Sequence, residues 1–393
     1  MLRLLVRMLE KLGYARVATF TNGEQALAHI RDSVIDLILL DINMPRVDGI
    51  EFIRRLTQLE FKGSVILVSG EGERLLEGID QLLRANGLTT LGWLSKPVGP
   101  QQLEAVLSKL PPDVQSERGP GAGRRAYDVA QLQRALTHRE LVNHYQPIVA
   151  LGTGELVRVE SLVRWQHPQD GLVYPDQFIP LAAQHGLLTS LTRAVLAAAM
   201  RDANTWWRAD RRLRVSVNVS MDDIACLSFP DEAEALALEH GIDPAAVTME
   251  VTESEMMQAL ATALDVLNRL RLKRFRLSMD DFGTGHSSLA QLRVLPFDEI
   301  KLDRELVTGA AANDRQRAIC EASLRMAAQL KLDTVGEGIE DKNDWALLQA
   351  NGCGLGQGYV IAKPMPATDV IGWLARWEAR ASAARQPKTA AGS

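Results

Sequence analysis

Hydrophobic and polar positions alternate along this chain with two different periods. Short apolar runs at 16–19, 37–40, 65–68 and 91–94 are separated by segments at 24–30, 50–59, 74–85 and 101–110, where apolar residues recur every three or four positions. Runs of the first kind predict buried strands, and segments of the second kind predict amphipathic helices. Their alternation predicts a parallel sheet covered by helices, with sites at the carboxyl ends of the strands. Ahead of them, MLRLLVRMLEKLG places Leu2, Leu5, Val6, Leu9 and Leu12 at helical spacing, with charges opposite and Gly13 as a stop. This predicts a core-facing first helix. The segment lacks the cleavage pattern of a targeting peptide.

The stretch 111–126, PPDVQSERGPGAGRRA, is rich in Pro, Gly and charge and has little to bury. It predicts a linker between two domains, 1–110 and 127–380, and residues 381–393 predict a disordered tail. In the second domain, strand-like runs return between helical stretches at 191–203, 233–240, 257–272 and 315–330. That rhythm over about 250 residues predicts a (β/α)8 barrel of the TIM type. The runs VRVE, VSVN, VTME, LSMDD, DEIK and TVGE close on Glu160, Asn218, Glu250, Asp280 with Asp281, Lys301 and Glu337. In a barrel these endings converge on one face. Gathered carboxylates repel one another and must protonate or bind a cation, and oxygen donors favour a hard ion such as Mg²⁺ or Mn²⁺.

Composition narrows the picture. The chain has 393 residues, 46% of them apolar, and a formal net charge of −5. Such a charge argues against a general DNA-binding protein. No apolar run is long enough for a bilayer span, so no membrane role is expected. Cys226, Cys320 and Cys353 are far apart and odd in number, which predicts neither a disulfide framework nor a zinc knuckle and fits a reducing cytoplasm. His167, His185 and His286 are read as surface or loop residues, because no helical HxxxH spacing supports zinc. Trp206 and Trp207 are read as packing residues.

In the first domain Asp41 ends DLILLD, Ser69 ends VILVS and Lys96 follows LGWLS. Their joint placement at successive strand ends points to a phosphoryl or metal site. With DINMPRVDG, Ser69-Gly70 and Lys96-Pro97 in this order, residues 1–110 resemble the receiver domain of bacterial response regulators. The resemblance implies a flavodoxin-like fold in which Asp41 accepts a phosphoryl group from a cognate histidine kinase. It implies that Ser69 and Lys96 contact that group and that Trp93 is the aromatic switch residue. Receivers open with a hydrophobic strand that ends in a Mg²⁺-holding acidic pair, and this chain opens in the helix that follows. The expectation is a true start farther upstream; the alternative is an altered, poorly phosphorylated domain.

In the second domain YQPIV, VESLVRW, FIPLA, VNVS, EVTE, MDDFGTGHSSL, EIKLD, GEGIE and QGYVIAKP resemble the EAL domain, block by block and in order. The family hydrolyses the bacterial second messenger cyclic di-GMP to linear pGpG. The resemblance implies a first metal held by Glu160, Asn218, Glu250 and Asp280, with Asp280 bridging to a second completed by Asp281 and Glu337. It implies that Lys301 orients or activates the attacking water and that Gln357 hydrogen-bonds in the site. Arg164, Gln146 and Asp303 would contact the nucleotide, and Glu253 would anchor the mobile loop after Asp281, where Gly283 and Gly285 supply conformational freedom. It further implies a homodimer formed through this domain. Three bland readings stay open at this point: Asn218 as a helix cap, Lys301 with Asp303 as an ordinary ion pair, and Arg164 as a structural salt-bridge residue.

Ser161, Ala183, Gly354 and His286 depart from the family pattern, at positions where it has alanine, often glutamate, aspartate and Tyr or Phe. None removes a metal ligand. The competing reading is a catalytically silent EAL barrel that senses the nucleotide or docks a protein. Silent members lose metal ligands or the lysine, and here the set is complete. No GGDEF-like run of a synthesising domain is present.

Overall fold

A computed structural model describes residues 2–14, 16–33, 35–44, 47–59, 61–70, 73–107, 127–252, 260–283 and 295–385. The chain divides into two compact units, Met1–Arg125 and Ala126–Ser393.

The first unit contains α1 (Leu2–Lys11), α2 (Gly23–Asp32), β1 (Leu37–Asp41), α3 (Gly49–Gln58), β2 (Ser64–Ser69), α4 (Glu73–Ala85), β3 (Thr89–Ser95) and α5 (Pro100–Leu107). The three strands form a parallel sheet in the order β1-β2-β3. The central strand β2 is buried along its whole length, and its side chains alternate between two cores. Val65 and Leu67 join Leu27, Phe52, Leu56 and Leu76 on the face covered by α2, α3 and α4. Ile66 and Val68 join Leu5, Leu9, Leu103 and Leu107 on the face covered by α1 and α5. The side chains of Asn22 and Asp48 accept hydrogen bonds from the backbone of Glu24 and Glu51 and so start α2 and α3.

Two expectations need correction here. Helix α1 meets the core through Leu5 and Leu9, with Met8 packed beside them, while Leu2 and Leu12 are exposed, so its buried stripe is shorter than the periodicity implied. Residues 16–19 are not a strand, although Val17 packs against the α1/α5 core. A strand exists only by pairing, and among the described residues β1 pairs with β2 alone.

The second unit runs α6 (Val129–His138), β4 (Leu141–Ala150), β5 (Leu156–His167), β6 (Gly171–Val173), α7 (Ile179–Gln184), α8 (Leu188–Arg208), β7 (Arg214–Asn218), α9 (Met221–Ile224), α10 (Phe229–Glu239) and β8 (Val247–Thr252). It continues through α11 (Leu260–Leu272), β9 (Arg276–Phe282), β10 (Glu299–Leu302), α12 (Arg304–Val307), α13 (Asp314–Gln329), β11 (Asp333–Gly336), α14 (Lys342–Ala350), β12 (Leu355–Gly356), β13 (Met365–Pro366) and α15 (Ala367–Arg385). Strands β4, β12, β11, β10, β9, β8, β7 and β5 pair in that order, and β5 pairs back to β4, closing an eight-stranded barrel. It departs from a regular (β/α)8 barrel in one strand: β4 runs antiparallel to both of its neighbours. A parallel crossover needs a dozen or more residues, and only the turn at 151–155 separates β4 from β5.

Alternation along the strands decides where the core lies. Val159, Val215, Val217, Met249, Val251, Leu277, Met279, Ile300 and Leu302 face outward and join the apolar cluster with Leu196, Ala199, Ala233, Val266 and Leu270 of the surrounding helices. The alternate positions, among them Arg158, Glu160, Ser216, Glu250, Ser278, Asp280, Glu299 and Lys301, are buried and face the lumen. The hydrophobic core therefore surrounds the barrel, and its interior is polar. Most of the polar residues that seemed to end strands lie within them, because β5, β8, β9 and β10 continue past Glu160, Glu250, Asp280 and Lys301; Asn218 does end β7.

At the carboxyl end, α15 extends through Arg385, so the expected tail is helical over its first residues; 386–393 lie outside the described residues, as do linker residues 111–126. Among the described residues no helix is long and apolar enough to cross a membrane.

Candidate active site

Lys301 occupies the centre of the lumen and is 1% exposed. Its Nζ lies 2.7 Å from Glu337, 2.9 Å from Glu250, 3.1 Å from Asp280 and 3.5 Å from Glu160. With Asp281, five carboxylates form two overlapping trios, Glu160–Glu250–Asp280 and Asp280–Asp281–Glu337, whose ligand oxygens lie within 4.8 Å of one another. One ammonium cannot neutralise five carboxylates, and the pKa values show how the excess is accommodated. Burial raises Glu250 well above the usual carboxylate range against the pull of Lys301, with Glu160 and Asp280 adding to the rise. Burial likewise pushes Glu337 up to about 8, despite Lys301 and with help from Asp280. Burial and then the Asp280 charge push Asp281 up to about 6. Glu160 moves the other way: burial would raise it, but Lys301 and hydrogen bonds from Gln357 and Asn218 outweigh burial and lower it. Burial also disfavours the Lys301 ammonium, yet Asp280, Glu160, Glu250 and Glu337 hold its pKa well above the ordinary value.

Adjacent residues of a strand point to opposite faces, so Asp280 and Asp281 should not share a site. A bulge brings them together. Ile300 pairs with Met279 and Leu302 with Phe282, so the two aspartates of β9 stand opposite Lys301 alone. Asp281 takes a left-handed φ of 54° to do this, and Gly283 follows at 104°. A Cβ at Gly283 would lie 2.3 Å from a terminal methyl of Leu306, a side chain that can move, so the positive φ is the reason for glycine there.

The remaining expected residues divide by what they touch. Gln357 donates to Glu160 at 2.6 Å and to Gln146 at 3.0 Å, and Gln146 in turn donates to the Ala362 carbonyl. Asn218 donates to Glu160 at 3.1 Å, while the cap of α9 is Ser220, so the helix-cap reading of Asn218 is set aside. Asp303 caps α12 by accepting from the Glu305 backbone, and the close carboxylate partners of Lys301 are the four named above. Arg164 pairs with no carboxylate among the described residues; its guanidinium lies 5.1 Å from the Tyr174 ring centre and donates to the Val163 carbonyl. Burial lowers its pKa. Glu253, Gly285 and His286 lie outside the described residues.

Some features were missed or misread in the sequence. His167 is not a surface residue: it is 2% exposed, its Nδ1 accepts from the Gln169 and Asp170 backbone, and its ring packs against Tyr127 and Trp165. Tyr174, beside Arg164, was not anticipated. Nor was the buried network one layer below the carboxylates, where Arg158 forms a bidentate pair with Glu299 and Ser278 donates to Glu299. The signal lay in the alternation, since Arg158 and Glu299 each precede a site residue by two positions.

The donor set fits divalent cations. All donors are oxygens, and Glu250 Oε1 is buried without a hydrogen-bond partner. Two oxygens bound to one Mg²⁺ at about 2.1 Å lie at most about 4.2 Å apart, so small rotamer changes close either trio around an ion.

In the first unit, Lys96 Nζ lies 2.6 Å from Asp41, and the Lys96 backbone donates to the Ser69 carbonyl. Ser69 is buried, and Trp93 is half-buried against the core of α2–α4. The three strand-end residues are thus neighbours at the carboxyl edge of the sheet.

Comparison with known proteins agrees with these features. Residues 129–364 match the EAL domain family, and residues 1–108 match the response regulator receiver domain. The chain is 41% identical over 237 residues to the cyclic di-GMP phosphodiesterase NbdA of Pseudomonas aeruginosa, covering 60% of this chain and 30% of that protein. It is 30% identical over 369 residues to the cyclic di-GMP phosphodiesterase RocR of the same organism, covering 92% of each. The solved structure of the PaMucR phosphodiesterase in complex with c-di-GMP is similar at a TM-score of 0.59 and 36% identity, over 62% of this chain and 98% of that one. The chain therefore spans less than a third of NbdA but nearly the whole of RocR.

Proposed function

The chain belongs to the EAL domain family, with a response regulator receiver domain ahead of the barrel, and from that premise we propose that it hydrolyses cyclic di-GMP to linear pGpG under receiver control. The observation that carries this reading is the pair of carboxylate trios sharing Asp280 around Lys301. Bound by Glu160, Asn218, Glu250 and Asp280 on one side and by Asp280, Asp281 and Glu337 on the other, two Mg²⁺ or Mn²⁺ ions would screen a phosphodiester and acidify a water. Lys301, at the centre of the carboxylates, holds a proton firmly and orients the attacking oxygen by donating to it. Gln357 fixes the Glu160 carboxylate, and Gln146 fixes Gln357. Arg164, which has no carboxylate partner among the described residues, is available to a nucleotide phosphate. Asp303, whose charge adds to burial and Asp280 in raising the Asp281 pKa, is the third group assigned to the nucleotide.

In the first unit Asp41 is the proposed phosphoryl acceptor from a histidine kinase, and Lys96, Ser69 and Trp93 are the groups that sense its modification. A homodimer through the barrel and a bacterial cytoplasmic location belong to the same reading. The test is incubation of purified protein with cyclic di-GMP and Mg²⁺ or Mn²⁺, followed by chromatography. The proposal expects pGpG, with turnover abolished by Glu160→Ala. Tight binding without turnover under both metals would replace the enzyme by a cyclic di-GMP sensor.

A further inference from the structure

The pole of the barrel opposite the carboxylates holds a cavity of about 310 Å³, lined by Arg158, Arg214, Arg276, Glu299, Asp333 and Gly354 among others. That volume is at the lower end of the range that receives small molecules. Three guanidinium groups face two carboxylates across it, an excess of one positive charge. Two of the cations are committed: Arg158 forms the buried pair with Glu299, and Arg276 lies 2.7 Å from Asp333. Arg214 differs. Its Nε donates to the Val157 carbonyl at 3.3 Å, and it forms no ion pair with a carboxylate among the described residues. Burial and then the nearby Arg276 and Arg158 act against its charge, and outweigh the more distant Glu299 and Asp333, which favour it. The Arg158 Nε is buried with no hydrogen-bond partner. At Gly354 the wall carries no side chain, and a Cβ there would meet only the Thr334 carbonyl at 3.7 Å.

A half-buried guanidinium with no ion pair of its own among the described residues, beside a buried unsatisfied N–H and open space, is costly unless an anion completes it. We propose that this cavity is a binding site for a phosphomonoester, with Arg214 as its principal anchor. A guanidinium fork matches two oxygens of a terminal phosphate, and the rest of the cavity holds the uncharged body of the molecule. The site is separate from the phosphodiesterase chemistry, and none of its lining residues belongs to the carboxylate trios. It is close to them all the same: Arg158 precedes Glu160, and Glu299 precedes Lys301, by two residues on the same strands. Two residues of strand span about 7 Å, so an anion at this pole adjoins the Arg158–Glu299–Ser278 layer beneath Lys301.

The test uses the full chain in EDTA, so that metal-bound phosphate does not contribute. Inorganic phosphate and 5′-GMP are titrated by calorimetry and by ³¹P line broadening. Saturable binding by both, each displacing the other, is expected. Arg214→Gln and Gly354→Asp, the second adding a carboxylate to the wall, are each expected to weaken binding at least about tenfold. Glu337→Gln at the opposite pole is expected to leave binding within about twofold of the unmodified chain. Phosphate should raise the unfolding temperature of the unmodified chain but not that of Arg214→Gln, which separates lost binding from lost folding. The proposal is overturned by the absence of saturable binding up to about 10 mM. It is equally overturned if Arg214→Gln and Gly354→Asp bind as well as the unmodified chain, or if Glu337→Gln is the variant that loses binding.

Discussion

Lys301 is the residue on which the interior depends most. It is buried against four carboxylates, so its removal leaves like charges facing one another without a counter-ion. Lys301→Met is expected to lose turnover and, in EDTA, to lose about 3–5 kcal/mol of stability. Mn²⁺ should restore much of that stability but not the turnover, and urea unfolding with and without the ion measures the difference. The raised carboxyl groups give a second expectation. Protonated Asp281 and Glu337 stabilise the metal-free fold at low pH, and that contribution is lost as pH rises through about 6 and then about 8. The metal-free protein should therefore unfold at progressively lower temperature from pH 5.5 to 8.5. The increment from added Mg²⁺ or Mn²⁺ should grow over the same window, because protons and cations compete for the same oxygens. A thermal melt series at fixed ionic strength checks both slopes; a flat metal increment across pH would contradict the shared-oxygen geometry. Most of these residues were legible from their spacing alone. His167 was not: a histidine ending a polar-looking segment reads as exposed, and only the fold shows its ring among Tyr127 and Trp165.

Elements were legible where local periodicity settles them and misread where pairing does. The helices from α2 onward follow their apolar spacing closely, but residues 16–19 have strand composition and no pairing partner among the described residues, so they stay unpaired. The bulge in β9 was invisible for the same reason: two consecutive aspartates do not reveal that one partner residue stands opposite both. At the end of the barrel, Gly358 lies so close to Ile339 that a Cβ would sit 2.2 Å from its carbonyl oxygen. Backbone cannot retreat as a flexible side chain can. Gly358→Ala is expected to cost about 1–3 kcal/mol and to displace Gln357 from Glu160. Both effects are measurable, as a lowered melting temperature and as weaker Mn²⁺ binding. Retained metal affinity in a destabilised variant would show that Gln357 does not position Glu160.

For the whole molecule, each unit has its own core, and every residue of the carboxylate site belongs to the second. Residues 127–393 expressed alone are therefore expected to fold cooperatively and to hydrolyse cyclic di-GMP with the full chain's metal requirement. Scanning calorimetry and a pGpG assay test this, and an unfolded or inactive fragment would contradict it. The architecture was legible because strand and helix periods differ so clearly, but the direction of one strand was not. Periodicity carries no sign, so nothing in LVNHYQPIVA announces that β4 runs against its neighbours.

That reversal has a consequence for how the barrel is wired. In an all-parallel barrel the polypeptide arrives at the pole remote from the chemistry, and the incoming segment is insulated from it by the length of a strand. Here the first strand descends from the reactive pole: Leu141 pairs with Trp165 beyond the level of Glu160, and Ala150 reaches the far end beside Leu355. The doorway into the barrel and its working face are the same face. Tyr127, at the threshold, packs its ring at a tilt against Trp165, the immediate neighbour of Arg164 in sequence. Tyr127 and Leu141 thus bring the chain into the barrel at the rim that carries Arg164.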